Sequence, residues 1–178
     1  MLQIEVPQRE YFDETRQQFV NVKAFTLNLE HSLVSISKWE MKWRKPFLTK
    51  DDKTQEETLD YIKCMTINQN VDPNVYYALS SDDIKKVSEY IADTPTATWF
   101  NNTHDKPNRE IVTSELIYYW MVAYQIPFEC QKWHIGRLLT LIRICDIKNS
   151  PKKMSRRDTL MRNKALNAAR RKQSGSKG

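Results

Sequence analysis

The chain reads as an α+β fold, mainly α-helical, with small antiparallel strands at the N-terminus, then a helical bundle and a basic C-terminal helix. Three observations predict this. Apolar and polar residues alternate in stretches up to Leu29, as in half-buried strands. From Ser32 the apolar spacing changes to three and four residues, the period of a helix. The charge also divides: residues 150–178 hold ten Lys/Arg and one acid, Asp158, leaving 18 basic against 21 acidic residues in the remainder. That asymmetry predicts a globular domain over 1–149, strand-rich to residue 30 and helical from 31, carrying a basic arm over 150–178.

The strands come first. Leu2, Ile4 and Val6 alternate; so do Val20, Val22 and Ala24, and then Phe25, Leu27 and Leu29 fall on the opposite side. The change of phase places a bulge or break near Lys23. Asp13-Glu-Thr predicts a turn between strands.

The helices follow. Leu33, Ile36, Trp39 and Trp43 form one stripe, limited by Pro46. Thr54 and Glu57 have the spacing of a capping box, which starts a helix through Tyr61, Ile62 and Met65. Asp72-Pro73 and Ser80-Ser-Asp-Asp are further helix starts, the latter running to about Ile91. Residues 94–108 are polar and interrupted by Pro95 and Pro107, which predicts a long loop. Residues 109–125 are apolar almost all round, the pattern of a central buried helix ended by Ile126-Pro127. A stripe of Ile135, Leu138, Leu139, Ile142 and Cys145 predicts its antiparallel partner over 129–148. Trp120 and Leu139 are the positions expected to matter most to this hairpin. Ser155 to Asp158 can cap a last helix to about Lys172 with a thin apolar stripe.

Several function classes lose support at this level. Only three glycines occur, at 136, 175 and 178, so no Gly-rich phosphate loop exists. No apolar run approaches the roughly 20 residues that span a bilayer, so no membrane association is expected. The first residues have neither a basic start nor an apolar core, so no signal peptide is expected. Cys64, Cys130 and Cys145 are odd in number and lie in apolar stretches, as buried thiols do. Cys130 and His134 would share a helical face, but no CxxC or HxxxH pair completes a metal set, and His31 and His104 stand apart. Glu110, Glu115 and Glu30 read as capping or surface acids. We therefore expect no catalytic residue, no metal site and no cofactor.

Binding is the better-supported class. Trp99 and Phe100 sit at the edge of the polar loop, where a lone pair of rings cannot bury itself; exposed aromatics anchor interfaces. Trp39 and Trp43, interleaved with Lys38, Lys42 and Arg44, are a second candidate contact, against core packing as the simpler reading. In the arm, Lys152, Lys153, Arg156, Arg157, Arg170, Arg171 and Lys172 could neutralise phosphates. The same residues also fit a solvated arm or a helix that docks on a protein.

Read together, the segments 30–40, 43–47, 98–100, 117–121, 128–134, 137–143, 152–156 and 167–172 resemble a family of siphophage tail assembly chaperones and tail-region structural proteins. The resemblance implies a non-enzymatic protein. It would act in the host cytoplasm, binding a phage tail protein such as the helical tape measure protein during morphogenesis. A structural place in the virion tail, a homo-oligomer, and nucleic-acid binding through the arm stay open beside it.

Overall fold

The computed structural model describes residues 1–13, 17–100, 110–149 and 156–175. The chain divides into two units, 1–145 and 146–178. It is a mainly helical α+β protein, as its sequence pattern predicts.

Four strands open the first unit: β1 (Leu2–Val6), β2 (Arg9–Asp13), β3 (Gln18–Val22) and β4 (Phe25–Leu29). β1 pairs with β4 and β2 with β3, both antiparallel. Val6 faces Phe25, and Arg9 faces Val22, three residues further along each strand. The register is thus common to both ladders, and the strands are two halves of one long hairpin. A three-residue step inverts the side-chain phase, and here it does so on both strands at once. One half buries Ile4, Val6, Leu27 and Leu29; the other buries Val20 and Val22 from the opposite phase. The expected break near Lys23 is therefore symmetric, with no extra residue on either side and no bulge. Pro7, which has no N–H to give a ladder, stands within it. The expected turn at residues 14 and 15 lies outside the described residues.

The outer edge of β4 is covered by residues 65–68. Glu30 N–H donates to Met65 C=O, Ile67 N–H to Asn28 C=O, and the Asn68 amide bonds Asn28 N–H and Thr26 C=O. These groups satisfy an edge that would otherwise be open to pairing.

The helices of this unit are α1 (Leu33–Trp43), α2 (Gln55–Met65), α3 (Asn74–Tyr77), α4 (Ser81–Ala92), α5 (Ser114–Ala123) and α6 (Ile135–Asn149), which runs on past the unit boundary. Capping boxes are present at Ser32, Thr54 and Ser80. α1 ends where Arg44 turns left-handed, at φ 55°, two residues before the expected limit at Pro46.

Two expectations are corrected. The organising helix is α1, which packs on α2 and α5, rather than a hairpin of α5 with α6. α5 is apolar all round but buries only Ser114, Ile117 and Met121; Tyr119 and Val122 are exposed and Trp120 is half-buried. A uniformly apolar helix carries no stripe from which to read its inward face. The second is the helix expected over 129–148, which is split. A 3-10 turn over Phe128–Lys132 is followed by an extended Trp133, and α6 begins only at Ile135. Leu138, not Leu139, is the fully buried residue of its stripe.

A buried carboxylate joins α1 to α5. Glu40 Oε1 accepts from Phe47 N–H and Oε2 from Ser114 N–H, both at 2.8 Å. The second of these is a helix N-terminal amide, where a negative charge is favoured.

The second unit contains α7 (Arg156–Ser174). The described side chains of α7 are all exposed, including Leu160, Met161 and Leu166.

Candidate functional site

Trp99 and Phe100 meet different surroundings. Trp99 is 92% exposed. Phe100 is half-buried under the Arg143 guanidinium, 4.3 Å from its ring centre, a cation–π contact that holds the ring against α6. Together they border a cleft of about 440 Å³ whose other walls include Thr94, Thr96, Thr98, Leu139 and Thr140. Gly136 sets the floor: a Cβ there would stand 3.2 Å from Thr94 Cγ2, so the residue lets the segment after α4 lie close on the first turn of α6. The chain thus places two rings, a guanidinium and four hydroxyl side chains around one groove.

Trp39 and Trp43 are not a comparable surface. Trp39 is 1% exposed; its Nε1–H donates to Glu57 C=O at 3.0 Å, and Phe47 packs edge-on against it. It belongs to the core, which corrects the expectation of a partner contact. Trp43 is half-buried, stacks on Trp39, and donates Nε1–H to Asp60 at 2.9 Å. Two of the lysines near these rings are ion-paired. Lys45 bonds Glu57 at 2.6 Å, and Lys42 bonds Asp60. Burial pushes the Asp60 carboxyl up, but its bonds from Lys42 and Trp43 outweigh this and hold it below its ordinary value. The Lys42 ammonium is correspondingly raised, chiefly by the same bond.

In the arm, Arg157, Arg170, Arg171 and Lys172 lie on α7 with exposed side chains. Lys152, Lys153 and the side chain of Arg156 lie outside the described residues, as does the expected cap at Ser155.

Sequence reasoning missed a polar centre under the bundle. Four rings, on α2, on α4 and at the entries to α1 and α6, meet edge to face: Tyr61 on His31, His31 on His134, and His134 on Tyr90, with centres 5.8, 5.1 and 5.0 Å apart. His31 C=O accepts from Ile135 N–H at 2.7 Å, and Ser32 bridges His134, so the entries to α1 and α6 are tied together. His134 Nε2–H donates to Tyr90 C=O at 3.1 Å, and its Nδ1 accepts from Gly136 N–H at 3.2 Å. Those two bonds fix one neutral tautomer. The Tyr90 hydroxyl donates to Glu30 at 2.7 Å, and burial together with that carboxylate raises its pKa. The His31 Nδ1 and the Tyr61 hydroxyl are 2.5 Å apart. Burial first, and His134 second, push the His31 imidazole down to about 3. Cys130 and His134 do not share a helix face, because the chain leaves the 3-10 turn between them. Among the described residues no group of three or more His, Cys, Asp or Glu could hold a metal ion. His31 and His134 are 103 positions apart, so no local spacing in the sequence could have joined them.

Comparison with known proteins finds no matching family model, no matching curated protein and no matching solved structure.

Proposed function

We propose that this protein is a non-enzymatic phage tail assembly protein that binds a tail protein, by its sequence resemblance the helical tape measure protein, during morphogenesis in the host cytoplasm. The observation that carries the binding reading is Trp99, which stands almost fully exposed over a cleft it shares with Phe100 and Arg143. Large rings held in solvent carry an unfavourable hydration that burial against a partner removes, and such rings dominate interface energetics. The exposed Tyr119 and Val122 of α5 add apolar surface of the same kind. No helix among the described residues is long and apolar enough to cross a membrane.

The test is co-purification from phage-infected cells. The wild-type chain should bring down the tape measure protein, and the double variant Trp99→Ala/Phe100→Ala should lose it while its unfolding midpoint stays in place. Retention of the same partner by that variant would refute the assignment of the surface. Mass spectrometry of purified virions then separates a chaperone, absent from particles, from a structural component of the tail.

A second reading rests on the arm, whose described basic side chains are all exposed. In it the protein binds nucleic acid through Arg157, Arg170, Arg171 and Lys172. Phosphate binding weakens steeply with added salt, whereas binding anchored on Trp99 changes little. A filter-binding series from low to high salt with the full chain distinguishes the two.

A further inference from the structure

The cleft above the histidine centre has a chemistry of its own. It measures about 360 Å³ and is walled by the loop between α1 and α2, by α2, and by α4; His31 and Tyr61 form its floor. That volume is near the lower end for small-molecule sites. Its sides are apolar, from Phe47, Leu48 and Ile91.

The polar groups that face it can be counted by what they have left to offer. Thr49 Oγ1–H donates to Pro46 C=O, Thr58 Oγ1–H to Thr54 C=O, and Ser88 Oγ–H to Ile84 C=O. A hydroxyl has one proton, so none of the three has a donor left for the cleft. His31 differs. It is 2% exposed, and only its Nδ1 has a partner, the Tyr61 hydroxyl. No buried side-chain nitrogen or oxygen among the described residues lacks a hydrogen bond. Nε2, the ring nitrogen without a protein partner, therefore keeps some exposure, and His31 lines this cleft. We assign the single Tyr61 hydroxyl proton to its shorter contact, Nδ1 at 2.5 Å rather than Ser35 Oγ at 3.5 Å, and the imidazole proton then sits on Nε2. At the mouth Lys53 carries its ammonium 4.5 Å over the Phe47 ring. Lys53 also lines a neighbouring groove beside Trp39, whose walls include Asp51, Asp52 and Glu57; no acid lines the cleft itself. The cleft thus presents two donors, one of them cationic, and no unengaged acid.

We propose that this cleft binds a small carboxylate on an apolar body, of the size of an arylalkanoate. The ring lies between Phe47, Leu48 and Ile91, one carboxylate oxygen accepts from His31 Nε2–H, and the other faces Lys53. The site is independent of the Trp99 surface, and neither proposal needs the other.

The test uses the full chain at neutral pH, with histidine side-chain nitrogens labelled, and titrates 3-phenylpropionate by NMR. A saturable shift of the His31 Nε2 resonance is expected, with a dissociation constant in the millimolar range of an unoptimised small ligand. The neutral 3-phenylpropanamide, which keeps the ring, and propionate, which keeps the charge, should each bind about tenfold more weakly, the effect of losing one well-placed contact. Lys53→Met should remove the preference for carboxylate over amide. Ser88→Trp, a substitution at an exposed position, should fill the mouth and abolish the shift. The proposal is overturned if no saturable shift appears up to the solubility of the probe, if amide and carboxylate bind alike, or if the shift persists in Ser88→Trp.

Discussion

Two groups of aromatic residues, both candidate contacts in the sequence, differ most at their leading tryptophans, Trp39 and Trp99. Trp39, Trp43 and Phe47 follow a helical period and come with lysines; Trp99 and Phe100 follow no period and come with threonines. In the fold Trp39 is enclosed and its indole N–H is bonded to a backbone carbonyl, and nearby Lys42 and Lys45 are matched by Asp60 and Glu57. Trp99 has no such enclosure. The difference teaches that a basic setting does not make a ring a contact residue. What decides is whether opposing elements can bring both an apolar wall and an acceptor to it.

The strongest way to break this comparison is to truncate both rings. Trp39→Ala should cost about 3–5 kcal/mol, the usual loss for a large buried aromatic, out of a total of about 5–15 kcal/mol for a domain. Trp99→Ala should stay within about 0.5 kcal/mol, as surface changes do. Urea unfolding midpoints, taken with the slope of each transition, measure both. A Trp99 variant as damaged as the Trp39 variant would put that ring in the core.

Next comes Glu40, which carries no aromatic ring but satisfies the amides behind this cluster. Replacing it with Ala leaves the buried Phe47 and Ser114 N–H groups without an acceptor, at about 1–3 kcal/mol for each. Glu40→Gln keeps one carbonyl oxygen and should recover part of the loss. Equal effects of Ala and Gln would show that charge at the α5 N-terminus matters more than either bond.

The histidine centre beneath the enclosed rings gives a pH signature that the Trp99 surface should lack. The folded His31 value, about 3, is below its ordinary 6.5, so the unfolded chain binds the proton more readily. Its contribution is complete above about pH 6.5 and is lost as pH falls toward 3, with a slope approaching about 1.4 kcal/mol per pH unit. Between pH 6.5 and 5, above the carboxylate range, unfolding free energy should drop by roughly 2 kcal/mol. His31→Gln should flatten that part of the profile, whatever it costs at pH 7. A wild-type profile already flat over this interval would remove His31 as a buried neutral group.

Legibility in the sequence followed locality. The capping box at Thr54, the helix start at Ser80 and the phase change in the strands are encoded within a few residues, and each appears where its pattern puts it. The burial of α5 was misjudged because a helix apolar on all sides states no direction. Glu40 and Ser114 are 74 positions apart, and His31 and Tyr61 are 30 apart. Such pairs exist only after packing, so no window of sequence contains them. The cleft over His31 belongs to this second kind.

The smallest effect is expected at the arm, and it separates an exposed apolar surface that awaits a partner from one that is already covered. Leu160, Met161 and Leu166 are exposed on α7, and none of its described residues is buried. A lone helix of 19 residues is only marginally stable in water. Removing residues 150–178 should therefore shift the unfolding free energy of the remainder by no more than about 0.5 kcal/mol, in the range of surface changes. The helical signal should fall on deletion, while the cooperative transition keeps its midpoint and slope. A loss above about 2 kcal/mol would require buried contact for those three apolar side chains, since removing exposed charges alone does not reach that size.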